Sequence, residues 1–84
     1  MIHEKLLALA QAKIDTGDLP ATGDVTTLGG SGSGAACTAC ERPIATDTAE
    51  LEIEWSQGGR AAVARLHPPC YAAWSVAVER LQTD

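Results

Sequence analysis

Four side chains in the second half of the chain have the chemistry of a closed metal site. Cys37-Thr38-Ala39-Cys40 and His67-Pro68-Pro69-Cys70 each hold two soft or borderline ligands with two residues between them, and 26 residues separate the pairs. A C-x2-C turn aims both sulfurs at one point. An H-x2-C at a strand-to-helix junction does the same for an imidazole nitrogen and a sulfur. The four N/S donors complete a tetrahedral Cys3His shell for one Zn²⁺ per chain and leave no open position for a catalytic water. The sequence therefore predicts metal ligation by Cys37, Cys40, His67 and Cys70, a structural ion and no enzymatic activity. Helix N–H groups behind Cys70 are expected to favour its thiolate.

Other chemistries fit the same residues less well. A thioredoxin-like pair at Cys37 and Cys40 lacks a preceding strand and leaves His67 and Cys70 unexplained. A c-type haem requires His directly after the second Cys, where the chain has Glu41. A mixed-ligand iron–sulfur cluster and a redox-sensing zinc site use the same four residues. His3 has no ligand-type neighbour and reads as a surface or packing residue. The Gly29-to-Gly34 run lacks the Lys and the strand-then-helix setting of a phosphate-binding loop.

A metal is also what so small a chain needs. It has 84 residues, no Phe, two Trp and one Tyr, and a domain of this size buries only about 60% of the surface that its unfolded chain exposes. A structural ion contributes on the order of 10 kcal/mol to folding. There are 6 Lys+Arg against 11 Asp+Glu, a formal charge of −5, and three thiolates with one Zn²⁺ make it −6. A nucleic-acid binder carries a basic patch. Here Lys5, Arg42, Arg60, Arg65 and Arg80 would have to converge to form one, so that class is disfavoured. No apolar run approaches 18 residues, which argues against a membrane span. Leu6 to Ala10 is too short for a signal core, and Glu4 sits where a basic n-region should be. An odd number of Cys fits a reducing, cytoplasmic setting better than a disulfide framework.

Three segments must position the ligands. Residues 1–17 read as an amphipathic helix over 2–15, with Ile2, Leu6, Leu9 and Ile14 as packing residues and Gly17 as its stop. Its apolar side needs the rest of the chain, another protein or a second copy to cover it. Residues 18–35 are rich in Gly, Ser and Thr and read as a mobile linker. Residues 36–84 carry the metal ligands. Within them, Glu50-Leu51-Glu52-Ile53-Glu54-Trp55 alternates as a strand with a solvated acidic face, which would also suit a basic partner. Ser56 to Gly59 turns, and residues 60–66 return with Trp55 opposite Arg60 and Glu50 opposite Arg65. Pro68-Pro69 then opens a helix with Tyr71, Trp74, Val78 and Leu81 on one face. The expected fold is a small α+β, zinc-stabilised ββα finger with a separate N-terminal helix.

With Cys37-x2-Cys40-x2-Pro43-Ile44 before the hairpin and His67-x2-Cys70-Tyr71 and Trp74 after it, the chain resembles treble-clef zinc fingers. It resembles in particular the first zinc module of LIM domains and the finger of poly(ADP-ribose) polymerases. It also resembles small proteobacterial proteins that join an N-terminal helix to the same finger. The likeness spans residues 36–81 and implies that Cys37, Cys40, His67 and Cys70 are zinc ligands. No Cys follows Cys70 to build a second LIM-type module. Leu66 stands where the polymerase-type finger has an aromatic residue. The likeness thus implies fold and metal, not recognition of DNA breaks. The function expected is that of a protein-interaction adaptor or regulator.

Overall fold

The computed structural model describes residues 4–82, so Ile2 and His3 lie outside the described residues. Two helices flank three strands in chain order: α1 (Glu4–Thr16), β1 (Thr26–Ser31), β2 (Ala49–Gln57), β3 (Arg60–Leu66) and α2 (Pro68–Gln82). The strands form one antiparallel sheet in the order β1-β2-β3. The small α+β expectation stands, with one strand more than the sequence indicated. No described helix is long and apolar enough to cross a membrane.

The β2–β3 hairpin closes more tightly than expected. Gly58 and Gly59 both take positive φ, 60° and 82°, which builds a two-residue turn whose twist suits the strands. Gln57 therefore pairs with Arg60, and the register moves by two residues. Trp55 faces Ala62, Ile53 faces Ala64, Leu51 faces Leu66, and Glu52 rather than Glu50 stands opposite Arg65. A shift of two leaves each side chain on its expected face, so Leu51, Ile53 and Trp55 still point to one side.

The acidic face is not uniformly solvated. Glu50 is 9% exposed and accepts hydrogen bonds from the Ser33 amide at 3.1 Å and the Ser33 hydroxyl at 2.8 Å. Arg65 joins the two carboxylates, with Nε 3.6 Å from Glu50 and Nη2 3.4 Å from Glu52.

Residues 18–35 depart furthest from the sequence reading. Instead of an unstructured linker they supply β1, paired residue for residue with β2 from Thr26–Glu54 to Ser31–Ala49. Gly32 then runs so close to the segment before β2 that a Cβ there would lie within 1.9 Å of the Ala45 carbonyl oxygen. The lack of a side chain at Gly32 permits close backbone approach and does not mark a flexible joint.

Nor is α1 separate. Ala10 and Ile14 are buried in the same core as α2, Leu6 and Leu7 pack on it in part, and Leu9 is half-buried. Gly17, at φ 88°, ends the helix as expected, and Leu19 follows into the interior at 1% exposure. Trp74 lies at the centre of that interior, with Leu19, Ile44, Ile53 and Leu66. Its indole N–H donates to the Pro20 carbonyl at 2.9 Å, satisfying a buried donor. Leu81, expected on the packed face of α2, is 46% exposed.

Candidate metal centre

The first ligand pair sits on a knuckle. Ala36 bridges to Pro43, the Cys37 amide donates to the Arg42 carbonyl, and the Glu41 amide returns to the Cys37 carbonyl. To close this turn Glu41 adopts φ 68°, a left-handed conformation that costs a side-chain-bearing residue about 1–2 kcal/mol. Its carboxylate meets Lys13 Nζ at 2.6 Å, which ties the knuckle to α1. That partner raises the Lys13 pKa.

The second pair spans the end of β3 and the first turn of α2. The Thr38 amide donates to the Arg65 carbonyl at 2.9 Å, docking the knuckle on β3 just before His67. The Tyr71 amide donates to the His67 carbonyl and starts the helix. The ligand atoms of Cys37, Cys40, His67 and Cys70 consequently all lie within 4.8 Å of one another. This is the grouping that the sequence spacing predicts.

The donor set could hold one metal ion. With metal–sulfur and metal–nitrogen bonds of about 2.3 and 2.0 Å, neighbouring donors stand about 3.5–3.8 Å apart. Cys40 Sγ is 3.4 Å from His67 Nδ1. His67 Nε2 lies 3.3 Å from the Pro43 carbonyl oxygen. A carbonyl only accepts, so the ring proton resides on Nε2 and the Nδ1 lone pair faces the three sulfurs. A ligand held in one tautomer by an outer hydrogen bond is characteristic of metal-binding histidines. Sequence reasoning missed the Pro43 carbonyl, because nothing in a side-chain pattern announces a backbone acceptor.

Electrostatics separates the thiols. Cys37 and Cys70 are buried and Cys40 is half-buried, and none is in a disulfide. Burial pushes the Cys37 thiol up, but the amides of Cys40, His67 and Ala39 aimed at its sulfur outweigh this and bring it down to about 7. Cys70 is raised far above the ordinary thiol range by burial first, and then by the charge of Cys37 and Cys40. This reverses the expectation that the helix start favours the Cys70 thiolate. Pro68 and Pro69 have no N–H to offer, so the first turn is poor in donors. A bound cation is the group that would make three adjacent thiolates compatible.

No protein-family model matches the chain, and neither does any curated protein or solved structure. The geometry of the four donors is therefore what defines this site: a small α+β chain with one Cys3His group able to hold a metal ion.

Proposed function

We propose that the chain is a treble-clef-like zinc finger whose single Zn²⁺ is structural, and that it acts by binding another protein, as an adaptor or regulator, rather than by catalysis. The observation that carries this is the convergence of four protein donors within 4.8 Å, with the Nε2 proton of His67 engaged by Pro43. Four protein ligands fill a tetrahedral shell, and catalytic zinc keeps a position open for water. The chain order of knuckle, β2–β3 hairpin and α2 supports the treble-clef reading. Free thiols serving as ligands suit a reducing compartment such as the cytoplasm. The apolar stripe of α1 faces its own chain, so the partner surface is sought elsewhere on the molecule.

Elemental analysis of the purified protein, paired with circular dichroism before and after strong chelation, tests the proposal. One zinc per chain and collapse of the folded signal on chelation are expected, and Cys70→Ser has the same effect. A cooperative fold that persists without metal, or a protein that purifies without zinc, overturns the reading. The partial exposure of Cys40 favours one second reading, release of zinc by mild oxidant. A chromogenic chelator detects that release directly.

A further inference from the structure

We propose that the free edge of β1 and the groove beside it form a docking site for an extended segment of another protein, which adds to the sheet as a fourth strand. The proposal rests on the binding-module reading and names its surface. Gly32, one position beyond β1 in the same register, donates to the Thr48 carbonyl. In an antiparallel ladder, bonded pairs recur every second residue. Gly30–Glu50, Leu28–Glu52 and Thr26–Glu54 are thus the bonded pairs, and Thr27, Gly29 and Ser31 turn their N–H and C=O groups away from the sheet. Among the described residues no backbone group of another element reaches them.

This edge carries none of the usual protection. All six β1 residues are exposed, and Thr-Thr-Leu-Gly-Gly-Ser contains no charge and no Pro. The one-to-one pairing contains no bulge. Sheet edges left in this state invite a further strand. The opposite edge, β3, differs: it bears Arg60 and Arg65, and the Arg65 carbonyl already accepts from Thr38.

A groove of about 370 Å³ lies between α2 and the start of β1, where Thr27 is the strand residue that lines it. Val25 and Thr27 line one side, and Tyr71, Trp74, Val78 and Glu79 the other. Thr27 and Tyr71 hydroxyls, both in the lining, stand 3.3 Å apart. An added strand would direct alternate side chains into the groove, the arrangement by which strand addition couples backbone affinity to side-chain selectivity. The walls mix Val25, Trp74 and Val78 with Thr27, Ser75 and Gln82, which suits small aliphatic and hydroxyl side chains. Glu79 is the only charged residue of the lining, and in a chain of charge −5 it calls for a Lys or Arg at the end of the segment.

The test uses the full-length, zinc-loaded protein and a synthetic octapeptide that alternates Val and Thr and ends in Lys, followed by amide NMR. Saturable shifts at Thr27, Gly29, Ser31 and the Tyr71–Trp74 region are expected. Gly29→Pro removes one outward N–H while sparing the β2 ladder, since Pro is accepted at an open edge. It should weaken binding at least tenfold. Glu79→Gln should weaken the Lys peptide severalfold but leave a Lys-to-Gln peptide unchanged. Zinc content and thermal unfolding measured on the same samples separate a failed fold or metal site from a failed docking site. Absence of saturable shifts at millimolar peptide, shifts confined to the outer sheet face or α1, or unchanged affinity in Gly29→Pro each overturn the proposal. So does a dimer in sedimentation that Gly29→Pro dissociates, because the edge then belongs to a second copy of the chain.

Discussion

Glu41 illustrates how one residue trades a backbone cost against a contact. Its left-handed φ of 68° closes the knuckle, and Gly adopts such a conformation without penalty. Its carboxylate reaches Lys13, where both groups are accessible to water and an ion pair is screened. Relief of the backbone should prevail. Glu41→Gly is expected to raise the thermal midpoint of the zinc-loaded protein, with a gain of about 1 kcal/mol from the conformation alone. The gain should persist in a Lys13→Ala background, where no ion pair is left to lose. A lower midpoint for Glu41→Gly in both backgrounds would show that the carboxylate matters for another reason. Glu50 presents the contrary case: buried, hydrogen-bonded to Ser33 and paired with Arg65. Glu50→Ala strands the Ser33 donors and is expected to cost about 1–3 kcal/mol in denaturant unfolding.

At the scale of the element, Gly32 and Gly29 make an internal comparison. A methyl at Gly32 would collide with the Ala45 carbonyl oxygen, whereas one at Gly29 would meet Leu51 at 3.6 Å, an ordinary contact. Gly32→Ala should therefore destabilise the fold by more than about 2 kcal/mol, and Gly29→Ala should be close to neutral, as read from chemical denaturation. Two glycines in one Gly/Ser run thus have opposite roles. That is why the run was illegible as sequence: composition reports the entropy a segment must lose, not the backbone that waits to pair with it. The hairpin and α2 were legible because side-chain periodicity encodes them directly. The four donors were legible because their spacing does. Register was misjudged by two because the turn length depends on Gly58 and Gly59 both taking positive φ. The docking of α1 is not legible, because an amphipathic stripe says that it is covered, not by what.

For the molecule as a whole, protons compete with the ion. Cys70 is held protonated well above neutral pH by burial and by its sulfur neighbours, so a metal must displace its proton throughout the physiological range. Each displaced proton weakens binding tenfold per pH unit of acidification. Zinc affinity should fall at least tenfold per unit below pH 8. Below about 7, where Cys37 also takes up a proton, the fall should steepen by up to a further factor of about ten per unit. Competition with a chelator of known affinity across pH 6–8 measures the slope, and a flat profile would mean that the thiols are not ligands.

The position of the four donors along the chain also predicts an order of assembly. An ion bound by the four donors would cinch residues 37–70 into a closed ring that contains β2, β3 and the start of α2, with α1 and β1 outside it. Closing that ring would lower the entropy cost of forming the hairpin, so the ring is expected to condense before the N-terminal pieces dock. Their amides should exchange with solvent ahead of those in β2. The strand nearest the groove is then also the one the protein releases most cheaply.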